Sequence, residues 1–237
     1  MIVTVSGVDV VVAHQALADA GRLAIAQALL TRDLAPGEIA QRWGMSTALV
    51  AHHVRTLAEA GLVLRRPGEH DGRKSYVALR HDDPDVVALV RIGAQSVAPP
   101  IRVAFVCTRN SARSKLAAAL WREVSRVPVV DAGTDPAAAP HPLTVRAAAR
   151  RGLQVDPTMR EVTGTVTGDD LVIAVCDHVH ETLPPRLQRW HWSIPDPVPA
   201  ASAASFGAAC DAIRSRVQDL QRALSQLQAS TKRGSTS

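Results

Sequence analysis

The stretch Cys107-Thr108-Arg109-Asn110-Ser111-Ala112-Arg113-Ser114 decides the fold of the second half of this chain. It follows an apolar run over residues 101–106, which is typical of a buried strand, and precedes a run of helix formers over residues 115–121. A thiol at the end of a strand, followed after five residues by Arg-Ser at the start of a helix, is typical of an oxyanion-binding loop. The sequence therefore predicts a strand, an anion-binding loop and a helix in direct succession.

This loop has the chemistry of a nucleophilic site. Its backbone amides and the N-terminus of the following helix both direct partial positive charge at one point. The same field favours an anionic sulfur, so we expect Cys107 to be an activated nucleophile. Arg113 can hold two oxygens of a tetrahedral anion at once. The residues between these two are expected to bind the oxyanion as part of the loop: Thr108, Arg109, Ser111 and Ala112.

Composition restricts the class of protein. The 237 residues are 46% apolar, which is enough for real cores, and three cysteines make no disulfide framework. No apolar run approaches the roughly 20 residues that span a membrane, and residues 1–5 lack the basic start of a signal peptide. We therefore expect a cytoplasmic protein with no membrane partner. Basic and acidic side chains balance over residues 1–99, so the net charge of +5 does not by itself locate a nucleic-acid surface.

Two prolines, Pro99 and Pro100, mark the predicted domain boundary, since this pair breaks any helix. We expect a DNA-binding domain over residues 1–98 and an α/β domain over residues 101–228. The polar residues 229–237 are predicted to form a disordered tail.

The first domain carries a helix-turn-helix pattern. Apolar spacing and capping residues predict a helix over residues 16–30, a short helix over 38–43 and a third helix over 46–60. A three-residue turn separates the last two helices. Two short strand-like segments at residues 62–66 and 73–79, each with basic residues, then flank a turn-rich loop, which predicts a β-hairpin wing. This half of the chain is therefore predicted to be mostly α with one β-hairpin.

Positive charge is concentrated on the third helix and the wing. Residues 42–80 hold seven basic side chains against three acidic ones, which suits contacts with DNA phosphates. For His52 and His53, the alternative is that one of them is partly buried and the other solvated. For Arg73 and Lys74, the alternative is an ordinary solvated hairpin without a DNA contact. The residues expected to contact double-stranded DNA are Ser46, Thr47, His52, His53, Arg55, Arg65, Arg66, Arg73 and Lys74.

Residues 14–80 resemble the winged helix-turn-helix of the ArsR/SmtB repressors. The resemblance is carried by Ala18 through Leu23, Glu38-Ile39-Ala40, Ser46 through Leu57, and Glu59 through Val63. It implies a homodimer on a palindromic operator, with the third helix in the major groove and a dimer-forming helix over residues 85–97. Metal-sensing members use cysteines on the second helix. Residues 1–99 contain no cysteine, so we expect no metal site.

Strands alternate with helices in the second half, which predicts a doubly wound parallel sheet with ligands at the carboxyl ends of the strands. A second apolar strand over residues 170–176 ends in Cys176, so Cys107 and Cys176 can lie near each other. Asp196 lies between two prolines. Such a stiff loop suits a positioned general acid, and the alternative is a simple turn capped by this carboxylate.

Residues 101–225 resemble the low-molecular-weight protein tyrosine phosphatases, and more closely their arsenate-reductase relatives. The matching stretches are Phe105 to Cys107, Asn110 to Ser114, Ala132-Gly133-Thr134, His141-Pro142, Leu171 to Asp177, His191-Trp192 and Asp196-Pro197. The resemblance implies that Cys107 is the nucleophile and that Arg113 binds the oxyanion. It also implies that Ser114 steadies the thiolate, Asn110 holds the loop and Asp196 is the general acid.

Arsenate reduction also requires further thiols to carry electrons. In the thioredoxin-coupled relatives two more cysteines lie seven residues apart, whereas this chain has Cys176 and then Leu183 at those positions. The resemblance therefore implies no bound cofactor and an external reductant, namely thioredoxin, glutaredoxin or a low-molecular-weight thiol. Cys176 is equally compatible with a small buried strand residue.

Three functions follow from these patterns. The first is an ArsR-like regulator fused to an arsenate reductase in an arsenic response. The second is a repressor whose second domain only binds arsenate, phosphate or a related oxyanion. The third is a low-molecular-weight phosphatase, which needs no extra thiol.

Overall fold

The computed structural model describes residues 4–5, 8–69, 72–95 and 97–233. The chain divides into two compact units, Met1–Gln95 and Ser96–Ser237. The division falls slightly before the expected boundary at residue 98, and the N–H of Val97 donates to the carbonyl of Ala223 at 3.1 Å. That hydrogen bond ties the start of the linker to the second unit.

The first unit is mostly helical. Its elements are β1 (Thr4–Val5), β2 (Val8–Asp9), α1 (Val10–Leu17), α2 (Ala20–Ala28), α3 (Pro36–Trp43), α4 (Thr47–Glu59), β3 (Val63–Pro67), β4 (Ser75–Leu79) and α5 (Pro84–Arg91). Strands β3 and β4 pair antiparallel directly after α4, with Val63 opposite Leu79. The core of the unit contains the fully buried side chains of Ile25, Leu57 and Leu62.

Two helices of this unit differ from the predicted ones because capping residues interrupt them. The expected helix over 16–30 is two helices, since the carboxylate of Asp19 accepts a hydrogen bond from the N–H of Arg22 at 2.9 Å and starts α2 afresh. The expected helix over 85–97 is also shorter. Helix α5 ends at Arg91, and Gly93 adopts the left-handed conformation with φ of 71° that terminates helices.

The second unit is an α/β fold with a parallel sheet, as predicted. Its elements are β5 (Arg102–Cys107), α6 (Arg113–Val124), β6 (Val129–Gly133), α7 (Pro142–Ala149), β7 (Asp170–Ala174), α8 (Asp177–Thr182), β8 (Arg189–His191) and α9 (Ala203–Arg233). The strand order is β6-β5-β7-β8, and every pair is parallel. Strand β5 is therefore central, and the loop that follows it opens at the carboxyl edge of the sheet.

Helix α9 covers the core beside α6 and buries Phe206, Cys210 and Ile213. The helix continues through Arg233, so residues 229–233 are helical rather than part of the tail predicted over 229–237. Residues 234–237 lie outside the described residues. Within the described ranges, the helices are too short or too polar to cross a membrane.

Candidate functional site

The loop between β5 and α6 turns its amide groups inward. Four of its backbone carbonyls accept hydrogen bonds from N–H groups of the segment after β6. The pairs, donor first, are Thr134 and Cys107 (3.2 Å), Asp135 and Thr108 (2.9 Å), Ala137 and Arg109 (2.9 Å), and His141 and Ser111 (3.0 Å). In a planar trans peptide, the carbonyl and the next N–H point in opposite directions. The following amides therefore face the interior of the loop, where they can bind an anion.

The loop approaches the end of β6 too closely for any side chain at Gly133. A Cβ at this position would lie 2.6 Å from the carbonyl oxygen of Thr108 and 2.8 Å from the nitrogen of Asn110. Asn110 itself has φ of 49°, in the left-handed region that asparagine tolerates better than most residues. Asn110 thus permits the tight turn of the loop, and Gly133 permits the close approach of the loop to β6.

The nucleophile candidate lies at the bottom of this loop. Cys107 is 4% exposed, and its Sγ lies 3.1 Å from the Oγ of Ser114. Asn110 Nδ2 donates to the same Oγ at 3.0 Å. The three residues expected at the sulfur are therefore brought together, with Ser114 in direct contact with the thiol.

Arg113 and Asp196 meet at the same place, although 83 positions in the sequence separate them. Arg113 is 6% exposed, its Nη1 donates to the carbonyl of Ile194 at 2.8 Å, and its Nη2 lies 3.2 Å from Asp196 Oδ2. Asp196 Oδ1 also accepts the N–H of Val198 at 3.1 Å. The carboxylate of Asp196 thus caps a turn and also lies at the Cys107 loop, beside Arg113.

Cys176 lies two residues beyond β7, at the start of α8, and is fully buried. Its Sγ is 3.8 Å from the Oγ1 of Thr108, the residue that follows the nucleophile. Burial raises the pKa of the Cys176 thiol to about 11, while the charge of Arg113 lowers it and Cys107 raises it. Leu183, where the thioredoxin-coupled relatives have another cysteine, is buried at the end of α8.

The remaining loop residues contribute mainly through their backbone. The side chain of Arg109 is about half exposed and forms an ion pair with Asp135 rather than turning into the loop. The carbonyl of Ser111 accepts a second hydrogen bond from Thr144 Oγ1 at 2.9 Å, and Ala112 is buried. Anion contacts from this part of the loop would therefore come from amide groups.

Two buried polar pairs near the loop escaped the sequence analysis. Asp131 on β6 forms an ion pair with Lys115 on α6 at 2.5 Å, and both side chains are fully buried. Asp177 Oδ1 lies 2.9 Å from His191 Nε2, again between fully buried side chains. The sequence holds one local signal for the first pair, since the acidic Asp131 directly follows the mostly apolar residues 127–130. No group of three potential ligands in the described ranges has the arrangement of a metal site.

A second candidate site lies on the first unit. Helix α4 exposes Thr47, His52 and Arg55 to solvent. The β3–β4 hairpin exposes Arg65, Arg73 and Lys74, while Arg66 is half-buried. These exposed side chains are compatible with contacts to DNA.

Two residues of the predicted DNA surface have structural tasks instead. His53 is 5% exposed and faces the interior of the unit, with its Nε2 at 3.9 Å from Asp19 Oδ1. It thus takes the buried position that the sequence left open for one of the two histidines, and it is not exposed for a DNA contact. The Oγ of Ser46 accepts the N–H of Leu49 at 3.2 Å and caps α4. Leu49 on α4 is also exposed, with 42% of its surface accessible to solvent.

Comparison with known proteins assigns each unit. Residues 102–232 match the family model of the low molecular weight phosphotyrosine protein phosphatases. Among solved structures, an arsenate reductase from Archaeoglobus fulgidus DSM 4304 is 28% identical, covering 51% of this chain and 98% of that chain with a TM-score of 0.46. An arginine phosphatase, YwlE from Geobacillus stearothermophilus, is 22% identical, covering 55% of this chain and 97% of that chain with a TM-score of 0.49.

Residues 21–74 match the MarR family model, whereas the sequence motifs of this region resemble the ArsR/SmtB repressors. An uncharacterized HTH-type transcriptional regulator of Bacillus subtilis (strain 168), YceK, is 37% identical over 70 residues, which are 29% of this chain and 67% of that protein. The first unit is thus a helix-turn-helix domain of a transcriptional regulator. Through residues 102–232, the chain belongs to the low molecular weight phosphotyrosine protein phosphatase family.

Proposed function

We propose that this protein is a transcriptional regulator whose second domain reduces arsenate with electrons from thiols, as part of an arsenic response. The observation that carries the proposal is the second buried thiol, Cys176, placed against Thr108 of the Cys107 loop. Phosphate-ester hydrolysis uses one nucleophilic thiol, whereas arsenate reduction requires two electrons and hence two thiols.

The first step uses the loop as it stands. The Cys107 thiolate attacks the arsenic of bound arsenate, and a sulfur–arsenic bond forms. Asp196 delivers a proton to the leaving oxygen, which departs as water. Arg113 and the inward-facing amides neutralise the remaining oxygens.

The second step transfers the electrons. The Cys176 thiolate attacks Cys107 Sγ, and a disulfide forms as the sulfur–arsenic bond breaks. The electron pair of that bond stays on arsenic, which leaves as arsenite, while the two sulfurs are oxidised. Because Leu183 offers no third thiol, an external reductant must restore Cys107 and Cys176: thioredoxin, glutaredoxin or a low-molecular-weight thiol. A cytoplasmic location, where thiols stay reduced, fits this chemistry.

A phosphatase or a purely anion-binding domain is the second candidate. Burial keeps Cys176 protonated near neutral pH, because its pKa is raised to about 11, and Leu183 removes the intramolecular relay. Both features slow thiol exchange but leave phosphate-ester hydrolysis unaffected. Binding of arsenate or phosphate without turnover would serve regulation equally well.

For the first domain we propose winged helix-turn-helix binding to a palindromic DNA operator, in the manner of ArsR/SmtB repressors. Helix α4 would enter the major groove, and the β3–β4 hairpin would follow the phosphate backbone as the wing. The exposed cations Arg55, Arg65, Arg73 and Lys74 support this arrangement.

Such an operator requires a dimer. An apolar groove of about 500 Å³ runs between α1 and α5, lined by Ala13, Val86 and Leu89 among others. Val11 on α1 and Ile92, directly after α5, are 64% and 70% exposed. We propose that a second copy of the chain covers this groove.

One experiment separates the candidate activities. The full-length protein, the Cys176→Ser variant and the matched Cys210→Ser variant are assayed for arsenate reduction with each class of thiol and for phosphate-ester hydrolysis. We expect Cys176→Ser to lose arsenate reduction and keep hydrolysis, and Cys210→Ser to keep both, since Cys210 is buried in α9. Undiminished arsenate reduction by Cys176→Ser would contradict the proposal.

A further inference from the structure

We propose that the buried pair of Asp131 and Lys115 positions the oxyanion loop and thereby sets the reactivity of Cys107. The inference rests on the proposed role of Cys107 as the nucleophile. It adds Asp131 as a positioning residue and Lys115 as the cation that neutralises it, neither of which touches the anion. The two residues act through Asn110 and Ser114, which the structure connects to the sulfur in an unbroken chain of contacts.

The pair is anchored on two different elements. Asp131 is the central residue of β6, opposite Phe105 of β5, and Lys115 is the third residue of α6. Their side chains are fully buried with an Nζ to Oδ1 distance of 2.5 Å, and Lys115 also donates to the carbonyl of Thr158. Desolvation largely offsets the attraction within a buried ion pair, so such a pair adds little net stability. Its distinguishing effect is to fix the position of Asp131 Oδ1.

That oxygen decides how the amide of Asn110 is oriented. Asn110 Nδ2 donates to Asp131 Oδ1 at 2.8 Å and to Ser114 Oγ at 3.0 Å, while Asn110 Oδ1 accepts the N–H of Arg160 at 2.9 Å. A flipped amide would place its oxygen against the carboxylate and its nitrogen against an N–H donor. The carboxylate of Asp131 therefore holds the amide nitrogen toward Ser114.

The orientation of Asn110 in turn directs the hydroxyl of Ser114. A hydroxyl has one hydrogen to donate and two lone pairs that accept. Since Ser114 Oγ accepts from Asn110, its hydrogen is available to Cys107 Sγ at 3.1 Å. A hydrogen bond to the charged form favours that form, so this donor stabilises the thiolate.

The charges around Asp131 keep its carboxylate from opposing the thiolate. Besides Lys115, two arginines approach it, with Arg122 Nη2 at 3.7 Å from Oδ2 and Arg160 Nη1 at 3.8 Å from Oδ1. Arg160 is also paired with Asp156, at 2.7 Å from Nη2 to Oδ2, so two negative charges face three positive ones. The cluster keeps a net positive charge and therefore favours an anion in the neighbouring loop.

The test compares two double variants that remove both buried charges and differ in a single acceptor. Lys115→Met/Asp131→Asn keeps an oxygen for Asn110, whereas Lys115→Met/Asp131→Ala removes it. The readout is the rate of iodoacetamide alkylation of Cys107 in the full-length protein, quantified for each cysteine by mass spectrometry at pH 6 and pH 9. The ratio of the two rates reports how readily Cys107 forms its thiolate and does not depend on the stability of the fold. Should the alanine variant fail to fold, Asp131→Val fills the strand position in its place.

We expect the ratio of the pH 6 rate to the pH 9 rate to fall about tenfold in the alanine variant and to stay within about twofold of the wild type in the asparagine variant. Arg102→Met/Asp170→Asn is the matched control, because it removes a similar carboxylate pair, with Nε to Oδ1 at 2.7 Å, from the opposite end of β5. This control should leave the ratio unchanged.

Equal ratios in the asparagine and alanine variants would overturn the inference, as would an equal shift in the control. If wild-type Cys107 is no more reactive at pH 6 than Cys210, the proposed nucleophile itself is wrong, and the inference falls with it. The wild-type measurement therefore distinguishes the two failures.

Discussion

The two domains use basic side chains in opposite ways. The helix-turn-helix domain exposes its cations on α4 and the hairpin, as Arg55, Arg73 and Lys74 illustrate, whereas the second domain buries Arg113 and Lys115 around one loop. Exposed charges attract a polyanion collectively, and salt screens them. A buried cation must be paired with specific groups, so each one holds a particular atom in place. The difference predicts large effects from single substitutions in the second domain and small, salt-dependent ones in the first.

The largest effect is expected from Cys107→Ser. A serine hydroxyl in this field remains a poor nucleophile, so arsenate reduction and phosphate-ester hydrolysis should fall by at least about a thousandfold. Steady-state assays of the full-length protein measure both activities. Cys210→Ser should leave both unchanged, and a Cys107→Ser variant with wild-type rates would refute covalent catalysis.

The second largest effect is expected from Arg113→Lys, which keeps the positive charge but loses the planar guanidinium group. Lysine cannot reach the carbonyl of Ile194 and the carboxylate of Asp196 while also holding two anion oxygens, so kcat/KM should fall about a hundredfold. The exposed Arg126→Lys, with the same change in chemistry, is the control. A loss of less than about threefold would mean that charge alone suffices in the loop.

The pH dependence of arsenite release should be smaller but diagnostic. Because burial raises the pKa of Cys176 to about 11, its thiolate fraction rises about tenfold for each pH unit below that value. Single-turnover release of arsenite should therefore accelerate from pH 7 to pH 10. Phosphate-ester hydrolysis does not use Cys176 and should lack this rise. Release that levels off near pH 7 would exclude Cys176 as the attacking thiol.

The smallest effect is expected on the DNA-binding side. Arg73→Ala/Lys74→Ala should weaken binding to DNA upstream of the protein's own gene about fivefold. It should also reduce the slope of log K against log salt concentration by about two, which corresponds to two lost phosphate contacts. Fluorescence anisotropy over a salt series measures both. Arg126→Ala/Arg150→Ala removes the same net charge from exposed positions of the second domain. An equal loss in this control would show that net charge, rather than the wing, drives binding.

The sequence could predict those features that depend on local pattern. The spacing of Cys107 and Arg113 between a strand and a helix was sufficient for the loop, and Ser46 for the start of α4. One local signal was overlooked, and one feature that depends on packing was missed. The carboxylate of Asp19 splits one apolar run into two helices, and the burial of His53 follows from its position on the inner face of α4.

The buried contacts that Lys115 and Arg113 make with distant segments could not be predicted, because they depend on packing. The pair of Lys115 and Asp131 joins a helix to a strand, and only the fold reveals that both side chains share one buried position. Likewise, the contact of Arg113 with the Ile194–Asp196 segment depends on β8 lying at the edge of the sheet. An acidic residue within an apolar strand was the only local signal for such a network.

The central claim is that the Cys107 loop is an anion-binding nucleophilic site, and selective alkylation tests it most directly. Wild-type protein is treated with iodoacetamide at pH 6, with and without arsenate or phosphate, and each cysteine is quantified by mass spectrometry. We expect Cys107 to react well before Cys176 and Cys210, and either anion to protect it at concentrations that leave the other two unaffected. Equal labelling of the three cysteines, or labelling of Cys107 that neither anion slows, would contradict the account.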